Sequence, residues 1–200
     1  MRYVPDTLML PVRSARLTFR GLRESDLECH ERLFENPVVV RYLYDEPLHG
    51  EFARQHLALR LWQGLAKEGG WANLAVEREG EFIGEIGIGM VSSVHRTCEI
   101  GYVFFPEVGG RGYATEAARV AVDIAVTFHG ALRIVARLDA RNRASARLLE
   151  RLGLRLEAHF RRNEFVKGEW CDEMVYAVLA DEWSPSTDFR QVLAPGRPRS

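Results

Sequence analysis

One stretch constrains this chain more than any other: Glu99 to Glu116, EIGYVFFPEVGGRGYATE. EIGYVFF reads as a strand closed by Pro106. Gly109-Gly110-Arg111-Gly112 then leads into a long helix, Tyr113 to Phe128, whose apolar face is Ala117, Val120, Ala121, Ile124, Ala125 and Phe128. A strand that delivers the chain to a glycine-rich turn opening a helix makes an anion site. Glycine reaches unusual dihedrals and lets a ligand approach the backbone. The amides of the first helical turn have no intrahelical acceptor, and the helix dipole places partial positive charge there. A diphosphate is the natural guest, with a ligand-free turn as the plain alternative. A P-loop is excluded because GxxxxGK[ST] is absent. A dinucleotide fingerprint also fails: Gly110-x-Gly112 is followed by Thr115 where a third glycine belongs, and no acidic residue stands at the expected place on a second parallel strand.

The flanking elements set the fold class. Arg16 to Leu22 reads as a strand after a loose leader. Ser25 then caps a helix, SDLECHERLFEN, through an S-x-x-E box with Glu28, and Asn36-Pro37 stops it. Glu51 to Lys67 reads as a second helix with Phe52, Leu59 and Trp62 on one side, ended by Gly69-Gly70. Strands follow at Trp71 to Glu77 and Glu81 to Met90, the latter with Phe82, Ile86, Ile88 and Met90 on one face and Ile83, Glu85 and Gly87 on the other. After the central unit come a strand at Leu132 to Leu138, a helix at Ala144 to Leu152 ended by Gly153, and strands at Arg155 to Phe160 and Glu173 to Ala180. The order β-α-α-β-β-β-α-β-α-β-β predicts a mixed α/β domain. Its sheet is mostly antiparallel, with one parallel crossover over Gly109 to Leu138 and helices on both faces. Ser184 to Ser200, with three prolines, reads as a mobile tail.

Composition narrows the class of function. With 27 basic against 28 acidic residues and a net charge of -1, the chain lacks the basic excess of a nucleic-acid binder. No apolar run is long enough to span a bilayer, and residues 1–10 lack a signal-peptide layout. The three cysteines, Cys29, Cys98 and Cys171, form no CxxC pair. That argues against a disulfide framework and places the protein in the cytoplasm. His30-Glu31 begins HExxH, but Phe34 occupies the second ligand position, so no metal is expected. The four tryptophans read as core or lid residues, with Trp170 also a candidate to pack on substrate.

At these residues the chain resembles the GNAT superfamily of N-acetyltransferases, and within it the RimJ/RimL-like branch. The superfamily's Q/R-x-x-G-x-G/A corresponds to Gly109-Gly110-Arg111-Gly112-Tyr113-Ala114, followed by Thr115-Glu116-Ala117. Asn142-x-x-Ser145 and Leu148-Leu149-Glu150-Arg151-Leu152-Gly153-Leu154 resemble the branch's N-x-x-S-x-x-x-L-E-x-x-G-F, and Asn36-Pro37 and Tyr176 to Trp183 also fit. The similarity covers residues 14–183.

The resemblance implies acetyl-CoA as co-substrate, held at its diphosphate by amides of Gly110, Arg111, Gly112, Tyr113, Ala114 and Thr115. It implies a splayed parallel strand pair, with Val103 and Phe105 offering backbone groups to the pantetheine arm and the thioester carbonyl. Asn142 and Ser145 read as a helix cap from the residues alone. The resemblance also places Asn142 on the cofactor and Ser145 near its sulfur as the proposed acid. An ammonium must lose a proton before it attacks a thioester. Glu99 and Glu164 match the two positions used as general base, Glu85 is a third candidate, and a surface carboxylate is the plain alternative for each. Direct transfer in a ternary complex is expected over an acetyl-cysteine step through Cys98 or Cys171.

The acceptor is expected to be a primary amine: a protein N-terminal α-amine, or a small molecule such as a polyamine or aminoglycoside. Its cleft would be lined by Arg41 to Glu46 and by Glu164 to Asp172, made acidic by Asp45, Glu46, Glu164, Glu169 and Asp172. A non-catalytic acyl-CoA sensor of the same fold is the alternative function, and a homodimer is admitted.

Overall fold

The computed structural model describes residues 8–186. Strands β1 (Val12–Arg13), β2 (Thr18–Gly21), β3 (Trp71–Arg78), β4 (Glu81–Ser92), β5 (Thr97–Phe104), β6 (Arg133–Asp139), β7 (Arg155–Val166) and β8 (Glu169–Leu179) form one sheet in the order β1-β2-β3-β4-β5-β6-β8-β7. Every neighbouring pair is antiparallel except β5 and β6. That parallel pairing covers only Thr97–Glu99 against Arg133–Val135, whereas β5 stays paired with β4 as far as Phe104. Past Glu99 the two strands therefore part, and this seam positions the site.

Helices α4 (Tyr113–Thr127) and α5 (Arg143–Leu152) cover one face. Their Ala117, Ala121, Ile124 and Leu149 meet Ile86, Ile88, Ile100 and Ile134 of the sheet in the main core. Each leucine or isoleucine among them, fully buried, contributes about 1.5–3 kcal/mol relative to exposure. Helices α1 (Leu27–Phe34), α2 (Pro37–Val40) and α3 (Gly50–Arg60) lie on the other face. There Leu33, Phe34 and Val40 pack with Phe105, and Leu57 packs with Leu22 and Ala75.

Several local readings change. The supposed leader contains β1, where Val12 pairs with Phe19. The first helix is preceded by a 3-10 turn, Glu24–Asp26, whose box is closed by the Asp26 carboxylate accepting from the Arg23 amide at 2.8 Å. Ser25 does not cap it. Asp26 is in turn gripped by both terminal nitrogens of Arg20 at 2.7 and 2.8 Å, while Arg20 Nε donates to Glu77. Asn36 does not merely stop α1; its side chain accepts from Val38 N and starts α2. Helix α3 ends at Arg60, seven residues before the expected Lys67. Leu61 turns extended so that Trp62 can pack on Gly21, where an added Cβ would lie 2.5 Å from the Trp62 Cβ. The buried side of α3 is Ala53 and Leu57, and Phe52 and Leu59 are exposed.

In β4 the alternation breaks at a bulge. Val76 pairs with Gly84 and Glu77 with Phe82, leaving Ile83 as the extra residue. Ile83 thereby joins Ile86 in the main core, while Phe82 turns to the opposite face against Phe105. β7 and β8 form a hairpin much longer than expected, so Glu164 lies in a strand. The expected tail falls mostly outside the described residues. Trp183 Nε1 and Ser186 N and Oγ donate to the buried Asp123 carboxylate.

Candidate active site

Gly110 and Gly112 adopt φ +74° and +79°, in the left-handed region that favours glycine. Gly112 is the residue immediately before α4. Gly109 has an ordinary φ, but a Cβ there would come 2.9 Å from the Pro106 carbonyl oxygen, so its smallness also has a reason. The first intrahelical bond of α4 runs from Glu116 N to Gly112 O. The amides of Tyr113, Ala114 and Thr115 are thus left as donors at the positive end of a four-turn helix. The turn is braced from outside. The Glu116 carboxylate accepts from Ser14 Oγ, Arg16 N and Arg16 Nε, and Arg16 Nη1 donates to the Arg111 carbonyl at 2.9 Å. Arg16 also lies over the buried Tyr113 ring, 4.6 Å from its centroid.

A cleft of about 330 Å³ passes through the parted β5–β6 seam. From the α4–α5 side it is lined by Tyr102, Asn142 and Ser145; from the other side by Trp71, Asn73, Glu85, Glu99 and the Tyr42–Asp45 loop. Asn142 caps α5, its Oδ1 accepting from Ser145 N at 3.1 Å. Ser145 Oγ is 2.7 Å from the Tyr102 hydroxyl. Burial pushes the Tyr102 phenol up to about 12.

The backbone donors at the seam are not those expected. Phe105 N donates to Ile83 O of β4 at 3.1 Å, so Phe105 has no free amide, and its ring is buried beneath Arg32. Val103 lies two residues away on the same side of an alternating strand. Its carbonyl also points at β4, where it would clash with a Cβ on Gly84. Tyr102 and Phe104 present their amides to the seam instead.

Glu99 is the last residue of β5 paired with β6, and lies 3.6 Å from Arg137 Nε. Burial raises its carboxyl above the usual range; Arg137 opposes this and Glu173 reinforces it. Glu173, nearly fully buried, accepts from Tyr44 Oη, Arg137 Nη1 and Asn163 Nδ2. Glu164 is separate from this cleft and lines an adjoining cavity of about 20 Å³ with Tyr44 and Glu173. The Tyr42–Asp45 loop is tied down by Lys167 Nζ, which donates to the carbonyls of Val40 and Leu43. Of the acidic residues expected to line the acceptor cleft, Asp45 reaches the larger cavity and Glu164, Glu169 and Asp172 the smaller; Glu46 lines neither.

Sequence reasoning missed Tyr102, Glu173, Asn73 and a buried polar chain. Glu85, wholly buried, meets His30 Nδ1 at 2.6 Å and Arg60 at 3.2 Å, and His30 Nε2 meets His56 Nδ1 at 2.9 Å. Paired in this way, Glu85 is a counter-ion that ties α1 and α3 to the sheet. Cys98 is sealed, and burial pushes its thiol up to about 11; Cys171 is also raised by burial, and its sulfur accepts from Arg141. Neither is poised as a nucleophile. Glu31, Glu35 and His49 bring ligand atoms within 4.8 Å at the surface, but Glu31 is engaged by the Gly50 amide at the start of α3. Among the described residues no helix is long and apolar enough to cross a membrane.

The family model described as an acetyltransferase (GNAT) domain matches residues 16–155. The chain belongs to the GNAT acetyltransferases. It is 30% identical over 175 residues to the uncharacterized N-acetyltransferase YoaA of Bacillus subtilis, covering 86% of this chain and 98% of that protein. It is 26% identical over 164 residues to the spermidine N(1)-acetyltransferase of Escherichia coli K12, covering 82% and 86%. Among solved structures, a GNAT acetyltransferase from Bacillus anthracis superposes with TM-score 0.77 at 28% identity over 86% of this chain and all of that one. The Vibrio cholerae spermidine N-acetyltransferase, in complex with CoA and spermine, shares the fold with TM-score 0.71 at 22% identity over 84% and 98%. This GNAT protein is therefore an N-acetyltransferase with acetyl-CoA as co-substrate, and the comparisons lend no support to a non-catalytic sensor. The diphosphate suits the donors at the start of α4, and the seam is wide enough to be part of the cleft.

Proposed function

We propose that this chain, through a domain spanning residues 14–183, acetylates a primary amine of a small, linear, cationic acceptor of the polyamine class. The observation that carries the reading is the cleft through the seam. It brings a half-buried carboxylate, Glu99, from one face of the sheet together with the Tyr102–Ser145 hydroxyl pair from the other. The reaction converts an ammonium and a thioester into an amide and a thiol, with release of one proton. Glu99 takes the ammonium proton, and a carboxyl raised by burial is a better base than a solvated one. It is preferred to Glu164, which faces the smaller cavity.

Amides from Gly110 to Thr115 hold the cofactor's diphosphate. Asn142 and the unpaired Tyr102 and Phe104 amides face its thioester arm. Tyr102, held by Ser145, hydrogen-bonds the sulfur as the C–S bond breaks, and the second proton lost from the nitrogen completes the departing thiol. The acceptor class is supported by the spermidine-acetylating relative and by Asp45, Glu99 and Asp139 in the lining of the cleft.

A protein α-amine, the RimJ/RimL-like reading, is favoured by one observation. Phe165 and Trp170 form an exposed edge-to-face pair on the β7–β8 hairpin, a surface on which a peptide could pack. Mass spectrometry of products from acetyl-CoA and a mixed library of polyamines, aminoglycosides, amino acids and peptides decides between them. Acetylated polyamines support the proposal; acetylation confined to peptide N-termini overturns it.

A further inference from the structure

Trp71 is the first residue of β3, and it stands in a row with Gly89 of β4 and Glu99 of β5, each directly opposite the next. Directly paired residues point to the same face of a sheet. Here the indole lies across that face. An added Cβ would come 2.8 Å from Trp71 Cε2 at Gly89, 2.9 Å from Cε3 at Gly87 and 3.6 Å from Cζ3 at Gly101. Three glycines in neighbouring strand interiors thus form the ring's seat, although glycine weakens a strand and ordinarily marks a close approach. The ring is nevertheless 47% exposed and lines the cleft. One face of the ring is thus seated on glycine while the rest is left to the cleft.

Asn73 points the same way from the next inward position of β3. It is opposite Gly87, only 3% exposed, and its Oδ1 has no hydrogen-bond partner. A buried carboxamide oxygen beside an aromatic face is an acceptor awaiting an N–H group.

We infer that Trp71 is the acceptor-binding platform: its open indole face receives the cationic alkylammonium portion of the acceptor, and Asn73 accepts one of the acceptor's N–H groups. An indole face attracts a cation through its quadrupole and packs an alkyl stem at the same time. By covering Gly89, the ring occupies the ground between β3 and Glu99. An amine lying on it is thereby presented to the proposed base. This inference rests on the reading that the cleft takes an amine, and it assigns the residue that selects it.

The test uses steady-state kinetics with spermidine, and tetramethylammonium as a cation that cannot be acetylated. Trp71→Ala is expected to raise the spermidine KM about tenfold while the acetyl-CoA KM stays within about twofold; Trp71→Phe should retain part of the affinity. Gly89→Ala lifts the indole without removing it and should reproduce the KM effect, whereas Gly101→Ala, an ordinary contact, should raise KM less. Tetramethylammonium should compete with spermidine in the wild type and lose potency in Trp71→Ala. An unchanged spermidine KM in Trp71→Ala, or equal loss of acetyl-CoA affinity, overturns the inference. Should the wild type acetylate no cationic amine at all, the amine reading itself fails. The platform is then judged by indole fluorescence: tetramethylammonium must alter the wild-type emission but not that of Trp71→Phe, and an identical response in both sinks it.

Discussion

Replacing Tyr102 with phenylalanine removes one oxygen and leaves the ring, the strand and Ser145 in place. That oxygen sits 2.7 Å from Ser145 Oγ, and burial pushes the phenol up to about 12. A simple thiol ionises near 8.5, so complete transfer of the phenol proton to the leaving thiolate would run uphill by about 3.5 units, or about 4.8 kcal/mol. Tyr102 is therefore expected to hydrogen-bond the forming thiolate rather than surrender its proton to it. One hydrogen bond to a charged group is worth about 1.5–3 kcal/mol, which converts to a fall of roughly 10- to 150-fold in kcat. The assay is thiol release, followed with a chromogenic thiol reagent at saturating acetyl-CoA and acceptor; both KM values should stay within about twofold. Because the elevated phenol remains protonated through the working range, it should contribute no falling limb to kcat near pH 9. An unchanged kcat in Tyr102→Phe, or a limb near pH 9 that disappears with the substitution, would refute this assignment.

Glu99 must be ionised to act, and burial holds its carboxyl high, so kcat/KM should fall on acidification through that raised value. Glu99→Gln should erase this limb along with most of the rate. Arg137→Leu, which removes the opposing cation, should move the limb to higher pH. Gly112→Asp puts a side chain at φ +79° and a negative charge in the anion site; calorimetry should show acetyl-CoA binding lost and thermal unfolding still cooperative. Burial, with Arg60 nearby, depresses His56 to about 4. An unfolded histidine titrates near 6.5, so the unfolded chain binds more protons between these values, and stability present above about pH 6.5 is lost as pH falls toward 4. Urea midpoints across that window should fall less steeply in His56→Leu than in the wild type.

The glycine-rich turn and the start of α4 were legible because glycine, strand and helix signals all fall within one short stretch and agree. Asn142 was legible for the same reason, as its side chain completes a local cap. What failed was non-local. The bulge at Ile83 inverts the face of Phe82 at the start of β4, and period-two reading has no means of seeing one extra residue. Phe52 and Leu59 look like a buried stripe, but α3 rotates to bury Ala53 and Leu57, because Arg60 turns inward to Glu85 and Trp62 leaves the helix for Gly21. β7 is an edge strand rich in charge, RLEAHFRRNEFV, so little hydrophobic pattern announces its length. Phe105 was misassigned because which side of a strand faces the seam depends on pairing, and pairing is not written in the motif. Tyr102 and Trp71 were hidden in plain strand sequence; only the parting of β5 from β6 and the glycine seat give them an address.

A sheet that opens along one seam gives its two reactants separate doorways, one on each side. Neither needs to depart before the other arrives, and no relay through a thiol is called for. Initial-rate plots against one reactant at fixed levels of the other should therefore converge, not run parallel.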